Sequence, residues 1–263
     1  MKQFKLTMAA VAITISASAA NAELMCEHAG PQTPRDISSK AGENNMDFPW
    51  APDYTKMNLC NIHTHTNAEH KGPDFSIFVN DSEHGGYACN ETASLTEAQL
   101  QDPTNGKGAY KGVKPGDTIE VHWVHSSCDV KPGKGLGACL TDSCTDPKLR
   151  VETQVFLLVN DEYALDFNDY TYDKEAAGAF KQAKAIPADT GKPIVFRGST
   201  TGPSYTQKIC SPAKVTWSVR PQCAKLNIAS LHAWAEKGNV FEEDHSHGVR
   251  QLVTKPELLS PIQ

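Results

Sequence analysis

The chain has 263 residues, of which 39% are hydrophobic and 21% charged, and its formal net charge is −6 with histidine neutral. This length is enough to bury a sizeable core, either in one large all-β domain or in two smaller domains. The acidic balance argues against nucleic acid as a partner, because binding to phosphates requires a basic surface.

The first 22 residues have the features of a secretory signal peptide. Two lysines precede an apolar stretch that ends in the small-x-small site Ala20-Asn21-Ala22. This stretch is too short to span a bilayer comfortably, and no later segment is long and apolar enough to do so. We therefore expect residues 1–22 to be removed on export. Residues 23–263 should then form one domain, periplasmic or extracellular, without contact with a membrane.

Short β-like stretches, divided by clusters of Gly, Pro, Asn and Asp, follow a polar N-terminal segment. In chain order they cover residues 61–66, 75–80, 118–126, 151–159, 163–167, 193–196 and 214–220. The dipeptide Asn160-Asp161 predicts a hairpin, and residues 173–185 and 229–237 have the best helical patterns. This order predicts a mainly β single domain, built around a large twisted, mostly antiparallel sheet with a few surface helices.

Eight cysteines, all downstream of the expected cleavage site, indicate a disulfide framework. Their even number fits an oxidising compartment, in which up to four disulfides can form. No CxxC pair is present, which argues against a zinc–thiolate site. The pairing stays open, although Cys139 and Cys144 are close enough in the chain for a local bond.

The first β-like stretch contains two histidines in the sequence Asn61-Ile62-His63-Thr64-His65. Side chains alternate along a strand, so His63 and His65 point to the same face and can bind one metal ion. Such a pair is a weak signal by itself, because an exposed polar strand gives the same pattern.

A third histidine, His122, strengthens the signal. Alternation places Glu120, His122 and Val124 on one face of the next long strand and His125 on the other. If this strand neighbours the first, His122 completes a site of three neutral imidazoles. Zinc sites of this kind keep an open position for water, whose pKa falls from about 15.7 to about 7. Zinc also suits an exported protein better than iron(II).

Two polar residues precede the predicted ligands by two positions, on the same strand faces. Asn61 precedes His63, and Glu120 precedes His122. The second ring nitrogen of a metal-bound histidine usually donates a hydrogen bond, which orients the ring. Asn61 and Glu120 could each accept that bond from a ligand on the neighbouring strand.

Residues 60–71, with the sequence CNIHTHTNAEHK, resemble the signature of delta-class carbonic anhydrases. Shorter motifs resemble the alpha class, in the same order along the chain. They are His63-Thr64-His65, Ser82-Glu83-His84, Glu120-Val121-His122, residues 197–203 and Val215-Thr216-Trp217-Ser218-Val219. The resemblance spans about residues 60–220. It implies a fold similar to that of the alpha class and the reversible hydration of carbon dioxide to bicarbonate and a proton, through attack by a zinc hydroxide.

The resemblance also implies a role for individual residues. His63, His65 and His122 would bind Zn²⁺, and Val124 and Trp217 would line the apolar wall where carbon dioxide sits. Thr201 would accept a hydrogen bond from the zinc hydroxide and donate its own proton to Glu83. Thr200 is the alternative, since the register of the loop is ambiguous by one residue. His70, near the ligand strand, is the leading candidate for the proton shuttle. Glu152 falls where the alpha class has an apolar pocket residue.

Two other functions compete with this interpretation. His63-x-His65-x-x-x-Glu69 matches the first metal motif of cupins, and Pro115-Gly116-Asp117 is a typical cupin turn. A cupin would use Glu69 as a ligand and bind iron or manganese, but it has no use for the motifs around Glu83 and Thr201. The second competitor is an inactive zinc-binding relative, which the loss of a ligand or of the threonine would favour; neither is missing. His245-Ser246-His247 could form another metal pair, but its acidic surroundings favour a surface or tail-packing element.

Overall fold

The computed structural model describes residues 26–81, 83–174, 178–202, 204–250 and 253–263. The expected signal peptide, Ser82 and Pro203 lie outside these ranges. The described residues form nine strands and two α-helices. The strands are β1 (Asn58–Thr66), β2 (Ile77–Val79), β3 (Gly86–Ala88), β4 (Thr118–Ser126), β5 (Leu149–Val159), β6 (Ile194–Gly198), β7 (Val215–Val219), β8 (Ala224–Asn227) and β9 (His247–Gly248). The helices are α1 (Glu97–Leu100) and α2 (Ile228–Glu236).

Seven of these strands form one mixed sheet in the order β6-β7-β5-β4-β1-β9, with β8 paired to the other end of β5. The long central pairs β1–β4 and β4–β5 are antiparallel, as is β6–β7. β5 pairs in parallel with β7 and β8, and β1 with β9. The mainly β fold around a large sheet is therefore confirmed, and its longest pairs are antiparallel as expected.

The central strands are covered on both faces, and the two faces have different compositions. All nine residues of β4 are buried. Ile119, Val121 and Trp123 belong to a core that also contains Leu231 and Trp234 of α2. The opposite face of the same strand carries Glu120 and His122, because successive side chains point to opposite sides. A buried sheet face with polar groups is the feature that positions the candidate site.

The sequence located most elements but not all of them. The strand predicted at residues 118–126 is β4, and the helix predicted at 229–237 is α2 within one residue at each end. The helix expected at 173–185 is wrong: its described residues contain none. This segment lies against the edge of β1 instead, where the Lys181 carbonyl accepts from the Leu59 amide at 2.8 Å.

The hairpin expected at Asn160-Asp161 is also wrong. After β5 the chain turns away, and Leu165 forms an isolated parallel bridge with Leu226 of β8. The reason is that the partner of this segment comes from about 60 residues further along the chain, which no local turn signal reveals.

Four disulfides are present, as the cysteine count allows: Cys26–Cys210, Cys60–Cys139, Cys89–Cys223 and Cys128–Cys144. The local Cys139–Cys144 pair is wrong, since each cysteine bonds a different partner. Four disulfides indicate an oxidising environment such as that of an exported protein. Among the described residues, no helix combines the length and the apolar character needed to cross a membrane.

Candidate metal centre

The three predicted ligand histidines meet on one face of the β1–β4 pair. His63 is directly opposite His122 in the antiparallel register, and His65 is opposite Glu120. Directly paired residues project from the same face of a sheet. The ring centroids of His63 and His65 are 4.8 Å apart, and those of His65 and His122 are 5.1 Å apart. The two strands therefore are neighbours, as the prediction of a shared ion required.

Burial favours the neutral, metal-binding form of two of these rings. Burial lowers the pKa of His63, although the nearby Glu243 carboxylate opposes the shift. Burial lowers the pKa of His65 to well below its ordinary value. A low pKa keeps the ring neutral, so that one of its two nitrogens carries no proton and can bind a metal.

His122 is oriented by Glu120 of its own strand. The Glu120 Oε1 atom lies 2.7 Å from His122 Nε2 and 2.6 Å from His70 Nδ1. Its Oε2 atom accepts the His70 backbone N–H at 2.9 Å. Burial would raise the pKa of Glu120, but its two histidine partners outweigh burial and hold this pKa well below the usual range. The remaining nitrogen of His122, Nδ1, is thus left for a metal. Glu120 contacts a predicted ligand histidine, but this histidine is on its own strand and not on the neighbouring one.

The Nδ1 atoms of His63 and His65 face acceptor groups that are distant in sequence. His65 Nδ1 lies 3.3 Å from the Gly248 carbonyl oxygen, and His63 Nδ1 lies 3.4 Å from Glu243 Oε1. The expected role of Asn61 is corrected, because its Oδ1 atom accepts no hydrogen bond from any described residue, while its amide nitrogen donates to the Gly133 carbonyl. Glu243 fills that role for His63, and its Oε1 atom also accepts a hydrogen bond from the Thr64 amide. The sequence did not predict this contact, because 179 positions separate Glu243 from Thr64.

The partner of Thr201 is Glu69. The Thr201 hydroxyl donates to Glu69 Oε2 at 3.4 Å, and the same oxygen lies 3.2 Å from His65 Nδ1. Burial raises the pKa of Glu69. The expectation for Glu83 is corrected, because its side chain is 88% exposed and its carboxylate lies 3.9 Å from His84. The chain contains three Glu-His dipeptides, at residues 27–28, 69–70 and 83–84. Of the two within the motifs discussed, Glu69-His70 is the one that reaches the site.

His70 is a structural residue of this site. It is fully buried, and its ring contacts Trp217 and Phe196 at centroid distances of 5.0 and 6.2 Å. A proton shuttle must exchange protons with solvent, so the expectation for His70 is corrected. Its contact with Glu120 fixes the carboxylate that in turn holds His122.

A cavity of about 330 Å³ opens beside the three rings. Its lining contains the three histidines, Asn61, Val124, Gly135, Leu136, Val151, Thr200, Thr201, Gly202, Trp217 and Arg250. Val124, Val151 and Trp217 are in register across β4, β5 and β7 and form its apolar wall. Glu152, which the resemblance placed at a pocket position, points to the other face, where Arg150 Nε contacts it at 2.5 Å, so it is not part of the cavity wall.

The loop register at the two threonines follows from their hydrogen bonds. Thr200 pairs with the Ser211 hydroxyl at 2.8 Å, whereas Thr201 contacts the buried carboxylate beside His65. Thr201 is therefore the threonine that links the loop to the histidine cluster.

A sequence model of the family described as delta carbonic anhydrase matches residues 54–230. The chain belongs to the delta carbonic anhydrase family. The match contains all three histidines, Glu69 and Thr201. Among solved structures, an alpha-carbonic anhydrase of Photobacterium profundum is similar, with 16% sequence identity and a TM-score of 0.29 over 87% of this chain and 88% of that chain. No curated protein sequence matches.

Membership of the carbonic anhydrases supports the hydration of carbon dioxide and implies a bound metal. The residues of this delta carbonic anhydrase fit one: three imidazoles share a face and a cavity, and carboxylates or a carbonyl contact their second nitrogens. Neutral imidazoles with such partners are a donor set that zinc prefers. The cupin alternative does not agree with this family.

Proposed function

We propose that this delta carbonic anhydrase hydrates carbon dioxide reversibly with a zinc ion held by His63, His65 and His122. The observation that carries the proposal is the direct cross-strand pairing of His63 with His122 beside His65, at an apolar cavity. A zinc ion held by three imidazoles supplies water activated as a nucleophile near neutral pH.

The apolar wall binds the substrate. Carbon dioxide has no net dipole and no proton to donate, so Val124, Val151 and Trp217 can hold it without a polar partner. Two contacts fix the Trp217 ring. Its indole N–H donates to the Ser199 carbonyl at 3.0 Å, and the ring makes a T-shaped contact with His122, with centroids 5.1 Å apart. A rigid wall keeps the carbon atom close to the attacking oxygen.

Thr201 orients the attacking oxygen. Glu69 can only accept while ionised, so it directs the Thr201 hydroxyl proton toward itself. The Thr201 oxygen then faces the cavity as an acceptor, and it selects an attacking group that carries a proton. This arrangement fixes the direction in which the lone pair of the attacking oxygen points.

Proton release is proposed to pass through water to buffer. Among the described residues that line the cavity, every histidine is one of the proposed zinc ligands. The rate of hydration should therefore rise with buffer concentration until proton transfer stops limiting it.

The test is zinc analysis and stopped-flow carbon dioxide hydration on the same purified sample, with and without a sulfonamide. We expect about one tightly bound zinc per chain and sulfonamide-sensitive hydration. A zinc-loaded protein that does not hydrate carbon dioxide would instead support the inactive zinc-binding relative. Full activity in a metal-free sample would reject the metal centre.

We also propose that residues 1–22 direct export and are then removed. The four disulfides support an oxidising destination. N-terminal sequencing of the protein from the extracellular or periplasmic fraction should begin at Glu23, and a chain that starts at Met1 in that fraction would contradict cleavage.

A further inference from the structure

A second group of metal-binding side chains lies on the side of His63 that faces Glu243. Glu243 Oε1 is 3.4 Å from His63 Nδ1 and 3.5 Å from His247 Nε2. The His247 ring stacks on His63 at a centroid distance of 4.3 Å, because β9 pairs with β1. The potential ligand atoms of His63, Glu243 and His247 all lie within 4.8 Å of one another.

This group opens to solvent through its own cavity of about 430 Å³. The residues around it include three consecutive carboxylates, Glu242, Glu243 and Asp244, and also His245 and His247. Lys134 neutralises Glu242 at 3.0 Å. His245 is 51% exposed, and its ring is 4.4 Å from that of His247. A cation can therefore reach Glu243 and His247 without passing through the apolar cavity.

The chemistry of the group selects the class of ion. Two or more imidazoles with one carboxylate favour zinc, copper or nickel, whereas calcium and magnesium prefer an all-oxygen set. The Glu243 Oε1 atom lies within 3.5 Å of a nitrogen of each of the two rings and supplies the carboxylate of this set.

We propose that Glu243 and His247 bind a second divalent transition-metal ion, with His245 as a further ligand at the mouth of the cavity. The bound ion draws the Glu243 carboxylate away from His63 Nδ1. His63 then loses the contact that orients it, and hydration slows. The binding of a second ion does not depend on the proposed function, whereas the inhibition of hydration rests on it.

The binding test is equilibrium dialysis of the zinc-loaded protein against increasing free Zn²⁺, followed by elemental analysis. We expect two zinc ions per chain in the wild type, the second bound more weakly, and one in His247→Phe, which keeps an aromatic ring but removes the nitrogen ligand. His28→Ala removes an exposed histidine outside the group and should still bind two ions. Circular dichroism establishes that each variant is folded.

A second variant keeps the test decisive if His247→Phe does not fold. His245→Ala should weaken the second site by roughly tenfold or more, since even an outer partner of a metal ligand is worth about that much. Excess Zn²⁺ should also inhibit hydration in the wild type and lose most of that effect in His247→Phe.

The outcomes separate the two proposals. One zinc per chain in both the wild type and His247→Phe, at every free Zn²⁺ concentration, overturns the second site and leaves the proposed function intact. His122→Ala should retain only the weaker ion. If it retained the tight ion instead, the proposed function would fail, while loss of the weaker ion in His247→Phe would still support the second site.

Discussion

The Thr201 hydroxyl lies 3.4 Å from the Glu69 carboxylate, although 132 positions separate the two residues. Glu69 is fully buried, and its other oxygen has no hydrogen-bond partner among the described residues. The hydrogen bond from Thr201 is therefore the one that the Glu69 side chain accepts among the described residues, and the same Oε2 atom lies 3.2 Å from His65 Nδ1.

Replacement of Glu69 by Gln should lower kcat by roughly 10²-fold, the usual cost of losing one aligned hydrogen bond to a reacting group. The amide can donate to Thr201, which would turn the threonine oxygen away from the cavity. Stopped-flow hydration and zinc analysis would show low turnover with zinc retained. Glu83→Gln is the matched control and should leave kcat unchanged, because Glu83 is exposed. A larger loss of kcat in Glu83→Gln than in Glu69→Gln would mean that Glu83 is the partner of the threonine.

Removal of the Thr201 hydroxyl should have a similar effect. Thr201→Ala removes the group that orients the attacking oxygen, so kcat should fall while zinc stays bound. Thr200→Ala removes a contact with Ser211 and should cost much less activity. Equal losses in the two variants, measured by hydration kinetics, would reopen the question of the loop register.

The contact between Glu120 and His122 should control zinc affinity. Glu120→Gln leaves the geometry of the ring but removes the charge that holds it, so zinc affinity should fall by about 10–100-fold. His122→Ala should abolish hydration and weaken zinc retention further. The measurement is zinc release to a chelator over time, and release as slow as in the wild type from both variants would argue against His122 as a ligand.

The apolar wall should tolerate no larger side chain at Val151. Val151→Phe fills part of a cavity of about 330 Å³ and should lower kcat/KM with zinc still bound. Glu152→Gln alters the adjacent residue on the opposite face and should keep hydration near the wild-type rate. A fall in hydration for Glu152→Gln alone would mean that the wall is assigned to the wrong face of β5.

Local periodicity was enough to predict the histidine cluster, because residues two positions apart on a strand project from the same face, whichever sheet the strand joins. It also predicted the face of Val124 correctly. It could not choose between Glu69 and Glu83, since that choice depends on how the chain bends after β1. The role of Glu243 and the long-range disulfides could not be predicted for the same reason. Their partners depend on how distant segments pack together, and local sequence patterns do not reveal that packing.

His125 lies on the face opposite the metal centre and should make the fold sensitive to acid. Burial lowers its pKa to about 3, and its Nδ1 atom lies 3.0 Å from the Trp123 carbonyl oxygen. In the unfolded chain the pKa is about 6.5. Between these values the unfolded state binds a proton that the folded state does not, so stability is lost as pH falls from about 6.5 toward 3.

His125→Phe removes this titration and should make the free energy of unfolding less dependent on pH. The slope in that window should decrease by up to about 1.4 kcal/mol per pH unit, which corresponds to one proton. Urea unfolding of the disulfide-bonded protein at several pH values gives the slope, independently of any overall change in stability that the lost hydrogen bond causes. His28→Phe, at an exposed position, should keep the wild-type slope. If His125→Phe also kept it, the buried ring would have to take up its proton in the folded state as readily as in the unfolded chain.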